Sequence, residues 1–291
     1  MLVKLTGGIG NQLFQYAFGC YLSQTYHCQV KYFPECGTTV TDYEKLNLFL
    51  DEGVPLASDE EIRQYSRCYN STRLAYRIYR RCLSTFGALN RRILVEIGSK
   101  YNEHISPDIR IFDGYWQSYR YLEPIDEILR NRLHFPSDIE RELNLDALAD
   151  CNSVSIHARF GDYLNNKNKG LFVIQDSEYY IKAIAEIKQR VSSPVFYVFS
   201  NDIVKAREMF SVIPDVKLNF VQNSGSYADL KDMCMMSHCQ HSIISNSTFS
   251  WWAAWMGKQH DRIVIAPKKW YIPQDMNAQT INMIPPQWIR V

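Results

Sequence analysis

The sequence predicts an α/β protein made of two Rossmann-like domains facing a central cleft, and three observations carry that expectation. In the second half, short apolar runs alternate with helical patterns, the signature of a parallel sheet covered by helices on both faces. The N-terminus reads as strand, glycine-rich turn and helix. Polar residues follow each strand candidate of the second half, and in open α/β sheets the carboxyl ends of the strands line the ligand crevice.

Taken in order, LVKL (2–5) is a strand, TGGIGNQ (6–12) a turn and LFQYAFGCYLSQTY (13–26) a helix. EEIRQYSRCY (60–69) and RLAYRIYRRCLSTF (73–86) carry apolar residues at helical spacing, which makes the middle third helical. The aromatic-rich IFDGYWQSYRYLEP (111–124) leads into the helical EPIDEILRNRL (123–133). Residues 136–150 are polar and mark the crossing between halves, so the expected domains are 1–150 and 151–291. Beyond it lie the strands SVSIHA (153–158), PVFYVFS (194–200), HSIIS (241–245) and RIVIAP (262–267). Helices SEYYIKAIAEIKQRV (177–191) and YADLKDMCMMSHC (227–239) separate them. After the strands come His157 and Arg159, then Asn201 and Asp202, then Asn246, Ser247 and Thr248, then Lys268 and Lys269.

Composition narrows the function classes. The 291 residues carry a net charge of +1, from 32 basic and 31 acidic side chains, which argues against a nucleic-acid partner held by bulk phosphate attraction. The first residues lack the basic segment, apolar core and cleavage site of a signal peptide, and no apolar run approaches the roughly 18 residues of a membrane span. Eight scattered cysteines fit reduced thiols in a cytoplasm better than a disulfide framework. Cys234, His238, Cys239 and His241 lie close together, but without CxxC spacing and on an apolar helical stretch. Packing is therefore expected there, not a metal.

Ser247 and Thr248 precede the helix FSWWAAWM, so its first-turn amides face the carboxyl edge of the sheet. A helix start with exposed N–H groups and hydroxyls suits an anion, and Arg159 on a neighbouring strand end strengthens a pyrophosphate reading. Plain capping over a tryptophan core is the alternative. The turn at 6–12 fails the dinucleotide fingerprint, because Leu13 stands where the third glycine belongs. It implies instead a close backbone approach to a ligand at Gly8 and Gly10, with Asn11 and Gln12 as polar contacts, or simply a tight turn. Asp232 is a carboxylate on an otherwise apolar helical face, placed to pair structurally or to accept hydrogen bonds from a nucleobase edge. No Asp-x-Asp motif occurs, so a sugar-nucleotide diphosphate is expected to be held by arginine and amides without a metal cofactor.

The ordered segments GGIGNQLFQYAFG, GYWQSYRYL, HARFGDY, YVFSND and SNSTFSWWAAWM resemble the motif set of the bacterial α-1,2-fucosyltransferases, glycosyltransferase family 11, from Gly7 to about Trp270. The resemblance implies a GT-B fold, GDP-fucose as donor, a terminal β-galactose of an oligosaccharide or lipid-linked glycan as acceptor, inversion at the anomeric carbon and no required metal. It makes the first domain the acceptor side and the second the GDP-fucose side. It assigns His157 and Arg159 to the diphosphate, Asp232 to guanine, and Ser247, Thr248 and Phe249 to the phosphates and fucose. Ser200, Asn201 and Asn246 fall in donor motifs, and Asn11 beneath the reaction centre. The second arginine of the family's HxRRGDY motif is Phe160 here, which leaves one guanidinium for that role. Asp162 is the motif's carboxylate, either a base or a support for Arg159.

Tyr115, Trp116 and Gln117 are candidates to stack on and hydrogen-bond the galactose, or to pack a core. Arg63, Arg67, Arg73, Arg77, Arg80, Arg81, Arg91 and Arg92 form either a solvated helical face or a surface for peripheral docking at the inner face of an anionic membrane. A transferase of different linkage and a non-catalytic nucleotide-sugar sensor are the competing readings.

Overall fold

The structure, a computed structural model, describes residues 1–35, 40–65, 74–86, 91–96, 100–149, 152–160 and 170–291. The chain divides into two units. Unit 1 holds Met1–His134 and Gln279–Met283; unit 2 holds Phe135–Ala278 and Ile284–Val291.

Unit 1 begins with β1 (Leu2–Leu5) and α1 (Ile9–Tyr26), followed by β2 (Lys31–Pro34), α2 (Val40–Asn47), α3 (Asp59–Tyr65), α4 (Leu74–Phe86), β3 (Ile93–Val95), β4 (Ile111–Asp113) and α5 (Asp126–Arg132). The four strands form one parallel sheet in the order β2-β1-β4-β3. α1 is buried on every side from Gln12 to Cys20, with Leu13, Phe14, Ala17 and Phe18 among its core residues. The helix stops at His27, which adopts a left-handed φ of 47° and returns its N–H to Ser23 O. The sequence reading missed β2, β3 and β4, although at three or four residues they are no shorter than β1, β8 and β9, which it found.

Unit 2 runs α6 (Ser137–Arg141), α7 (Asp146–Ala149), β5 (Ser153–Ala158), α8 (Ser177–Arg190), β6 (Val195–Ser200), α9 (Ile203–Phe210), β7 (Leu218–Phe220), α10 (Ala228–His238), β8 (His241–Ile243), α11 (Thr248–Met256), β9 (Val264–Ala266), α12 (Gln274–Gln279, whose last residue lies in unit 1) and β10 (Ile289–Arg290). Its six strands are parallel in the order β10-β9-β8-β5-β6-β7. The four expected strands are all present, and β7 and β10 extend the sheet at its edges. β5 is buried along its whole length. Val154, Ile156 and Ala158 pack with Ile184, Ile187, Phe196 and Val198, each full burial of a large aliphatic side chain contributing about 1.5–3 kcal/mol.

The division falls after His134 and not after Asp150. The polarity of residues 136–150 belongs to the outer faces of α6 and α7, whose Ile139 and Leu148 are buried. Lys231 on α10 pairs with Glu142 at 2.5 Å, and Gln240 Nε2 donates to Ala149 O, fastening this segment to unit 2. Near its other end the chain returns to unit 1, where Ser118 Oγ donates to Asn282 O at 2.8 Å.

Candidate active site

In unit 2 the strand order reverses between β5 and β8: the chain builds outward through β6 and β7, then starts again on the opposite side of β5 with β8. The crevice of an open parallel sheet opens at such a switch point, beyond the carboxyl ends of the two strands. β5 ends in His157 and Arg159, and β8 runs into Ser245, Asn246 and Ser247. His157 Nδ1 hydrogen-bonds Ser245 Oγ at 2.9 Å across this gap, and the imidazole lies 5.6 Å from the Phe249 ring. Burial first, then the charge of Arg159, pulls the His157 pKa down to about 3. The imidazole is neutral in this setting, and Ser245 orients it. Arg159 is half-buried.

Ser247 is the N-cap of α11 with extended dihedrals, yet its side chain makes no capping bond and no acidic residue occupies the first turn. The helix dipole at this end is thus not neutralised by its own side chains. Thr248 and Phe249 open the helix, with Trp251 and Trp252 fully buried behind them. Phe160, in the place of the family's second arginine, packs against the unit 2 core, and its N–H donates to Asn201 Oδ1 at 2.9 Å.

Four more of the expected donor contacts have structural engagements. Asn246 is buried and its amide donates to Val173 O at 2.6 Å and Trp270 O at 3.0 Å, which ties two loops to the end of β8. Ser200 Oγ is used within its own turn with Asp202, which caps α9, and Asn201 binds the Phe160 backbone. Asp232 sits on α10, half-buried, with Asn223 Nδ2 donating to its Oδ1 at 2.8 Å. Burial pushes its pKa up to about 6 against that hydrogen bond. Asp162 lies outside the described residues, as do Arg67, Arg73 and the cysteines at 36, 68 and 151.

Unit 1 has its own switch point, between β1 and β4. Gly7 adopts a left-handed φ of 77°, and Gly8 caps α1. Gly8 is exposed, its φ of −71° suits any residue, and a Cβ there would meet no atom of the protein within 4 Å. Gly10 and Gln12 are buried in α1; Gln12 Nε2 donates to Gly7 O, while Gln12 Oε1 has no hydrogen-bond partner. Asn11 Oδ1 accepts from Gln117 Nε2 at 2.8 Å, joining the glycine loop to the segment after β4. Gln15 does the same at a deeper level: its Oε1 accepts from Thr6 N and its Nε2 donates to Gly114 O, both at 2.9 Å.

Of the three expected acceptor contacts, Trp116 belongs to the core. It is 1% exposed and its ring stacks on Phe18 at 4.1 Å, so its face is already covered. Its φ is 54°, and the preceding Tyr115 is 46% exposed. Glu96 Oε2 holds the turn by accepting from Tyr115 N at 2.6 Å and Trp116 N at 2.9 Å, and burial pushes the Glu96 pKa up to about 7. Arg80, its side chain still 42% exposed, donates through Nε and Nη2 to Asp113 at 2.6 and 2.9 Å, which fixes its place within the basic stretch. Sequence reasoning missed Ser245, Gln15, Glu96 and Asn223. Ser245 and Gln15 lay inside the quoted motifs, and Gln15 stood out as a polar residue one turn from Asn11 in an apolar helix. Glu96 and Asn223 left no such signal.

Among the described residues no His, Cys, Asp or Glu group could hold a metal ion, and Cys234, His238 and Cys239 are packing residues, with His238 Nδ1 bonded to Cys234 O. Cys20, Cys28, Cys82, Cys234 and Cys239 are free thiols. No described helix is long and apolar enough to cross a membrane.

Comparison with known proteins supplies the family. The model of glycosyl transferase family 11 matches residues 79–291. An α-1,2-colitosyltransferase of Escherichia coli is 30% identical over 100% of this chain and 98% of its own length. The O-antigen biosynthesis glycosyltransferase WbnK of Escherichia coli is 28% identical over 99% of both. Galactoside α-(1,2)-fucosyltransferase 2 of Mus musculus is 32% identical over 53% of this chain and 46% of its own length. Among solved structures, the fucosyltransferase NodZ from Bradyrhizobium shares the fold, with a TM-score of 0.51 and 15% identity over 87% of this chain and 91% of its own.

Proposed function

Because the chain belongs to glycosyltransferase family 11, we propose that it transfers L-fucose from GDP-fucose to the 2-hydroxyl of a terminal β-galactoside, with inversion, in the synthesis of a surface glycan. The observation that carries the reading is the unit 2 switch point, where β5 leads into Arg159 and β8 into the start of α11, with His157 bonded to Ser245 across the gap. As the fucose–phosphate bond stretches, negative charge grows on the diphosphate. Donors already fixed in place stabilise it without reorganising. Arg159 supplies the planar fork for two parallel N–H···O bonds, the α11 amides add the helix dipole, and Ser245 keeps His157 oriented. Asp232 accepts from the guanine edge with Asn223 holding its carboxylate. In this reading no divalent cation takes part, since the arginine and the amides carry the charge.

The acceptor side is unit 1, where Asn11, Gln117 and the exposed Tyr115 gather at the other switch point. Peripheral docking on the cytoplasmic leaflet, next to a lipid-linked acceptor, is supported by α4: Leu74 and Ile78 stand exposed one turn apart with the exposed Arg77 and Arg81 beside them. A second reading, transfer of colitose in the same α-1,2 linkage, is favoured by the colitosyltransferase relative that matches over the full chain.

The test is incubation with GDP-fucose and with GDP-colitose across an array of β-galactosides, reading GDP release and product linkage by NMR. Galactoside-dependent GDP release with a new α-1,2 linkage is expected. GDP binding without any transfer would leave a nucleotide-sugar sensor in its place.

A further inference from the structure

Lys4 and Asp113 are fully buried at 0% exposure, in strands that are otherwise apolar. Lys4 Nζ donates to Glu35 Oε1 at 2.7 Å and to Asp113 Oδ2 at 3.4 Å. Asp113 also takes the bidentate Arg80, and Thr6 Oγ1 donates to Glu35 Oε2 at 2.7 Å. Desolvating two ions costs several kcal/mol each, and well-packed apolar residues of similar volume give equal or greater stability. The network's use must then lie in what it holds at the surface. It holds two groups. The side chains of Glu35 and Arg80 are each 42% exposed.

Their position is informative. Glu35 follows β2, Thr6 follows β1, and Asp113 ends β4, so the network spans the carboxyl edge of the sheet around the β1–β4 switch point. The Tyr115 phenol is within electrostatic reach of Glu35, Arg80, Lys4 and Asp113, and its backbone is pinned by Glu96. Tyr76 on α4 interacts with Lys4, Asp113 and Arg80 from below.

The geometry points to a binding site for an uncharged pyranose in unit 1, formed by the half-exposed Glu35 carboxylate and Arg80 guanidinium beside the exposed ring of Tyr115. Two positive and two negative charges sum to nothing, so the site has no attraction for phosphate, in contrast to the edge of unit 2 with its arginine and helix start. What it offers is fixed: a carboxylate to accept from a hydroxyl, a guanidinium to donate to one, and an aromatic ring for the C–H face of a sugar. Neither polar group reorganises when the sugar arrives, because Lys4, Thr6 and Asp113 already set both. That the sugar is the galactoside acceptor rests on the transferase reading above.

The experiment uses lactose as probe, with saturation-transfer NMR for binding, transfer from GDP-fucose for acceptor KM, and calorimetry for GDP affinity. Glu35→Gln, by loss of a hydrogen bond to a charged group, and Tyr115→Ala, by loss of the aromatic face, are each expected to abolish the lactose signal or raise acceptor KM about tenfold, with GDP affinity unchanged. Tyr115→Ala alters an exposed ring, so the test survives if Glu35→Gln fails to fold. Unchanged lactose binding and acceptor KM in folded Tyr115→Ala, or no lactose signal from the parent protein, overturns the site. Lactose binding that Tyr115→Ala removes, in a parent protein that transfers to no galactoside, supports the sugar site and overturns the transferase reading alone.

Discussion

His157 Nδ1 and Ser245 Oγ, 2.9 Å apart, join the two strands that flank the switch point of unit 2, and the bond is made by an imidazole that stays neutral down to a pH of about 3. In unit 1 the titration runs the other way, with the Glu96 carboxyl pushed up to about 7. The two have opposite effects on stability.

Below pH 6.5 the unfolded chain protonates His157 and the native protein does not, so this group's contribution is complete above 6.5 and is lost as pH falls toward 3. Glu96 in the native protein holds its proton up to about 7, against 4.5 when unfolded. Its contribution is complete below 4.5 and is lost as pH rises through 7. Between 6.5 and 4.5 the two slopes, about 1.4 kcal/mol per pH unit each, oppose one another. Calorimetric scans at pH 7 and 5 should therefore show Glu96→Gln losing more stability on acidification than the parent protein, and His157→Gln losing less. Parallel shifts in all three proteins would contradict both assignments.

Arg159→Ala and Arg159→Lys should fold and bind GDP but turn over slowly, alanine being the worse. The diphosphate charge is fully developed only in the transition state, and loss of one fixed donor costs on the order of 10²–10³ in rate. Phe160, packed on the core, offers no substitute. Steady-state GDP release checks this; near-parental turnover in Arg159→Ala would remove the residue from the mechanism.

GDP affinity should fall as pH drops below about 6, because only the ionised Asp232 accepts from the guanine edge and burial holds its pKa there. Asp232→Asn should weaken GDP binding by about 1.5–3 kcal/mol at pH 7.5 and flatten the pH dependence. Titration calorimetry at pH 5 and 7.5 reads both, and an Asp232→Asn variant with parental affinity returns the carboxylate to a structural pairing with Asn223.

Gly8→Ala separates a tight turn from a ligand approach. The dihedrals and the open space at Gly8 accept a methyl group, so the variant should fold, at a cost of about 1 kcal/mol or less because alanine is a poorer N-cap than glycine. A small drop in melting temperature together with a loss of transferase activity is expected. Full activity would mean that no substrate passes close to this backbone.

Turnover should persist in excess EDTA. Its loss, restored by added Mg²⁺ or Mn²⁺, would overturn the cation-free stabilisation of the diphosphate.

The legible strands were followed by glycine or polar residues, short ones such as β1, β8 and β9 included. β5 and β6 each run six residues with turn signals behind them, and their ends placed His157, Arg159 and Asn201 at the sheet edge in advance. Residue type alone did not reveal engagement. Asn246 looks like a ligand contact until its amide is found bonded to the carbonyls of Val173 and Trp270, distant in sequence. Trp116 looks like a sugar platform until Phe18, on the first helix of the chain, covers it. Lys4 in LVKL and Asp113 in IFDG were visible anomalies, but their pairing spans more than a third of the chain and leaves no local pattern.

The return of residues 279–283 to unit 1 sets an order on synthesis. A ribosome releases Met1–His134 long before Thr280, Asn282 and Met283, yet unit 1 buries Thr280 and Met283 completely and binds Asn282 O through Ser118. Unit 1 therefore waits, incomplete, until residues 279–283 have been made. Nascent chains halted before Gln279 should present this gap to chaperones and proteases, although every motif for the donor sugar has by then been translated.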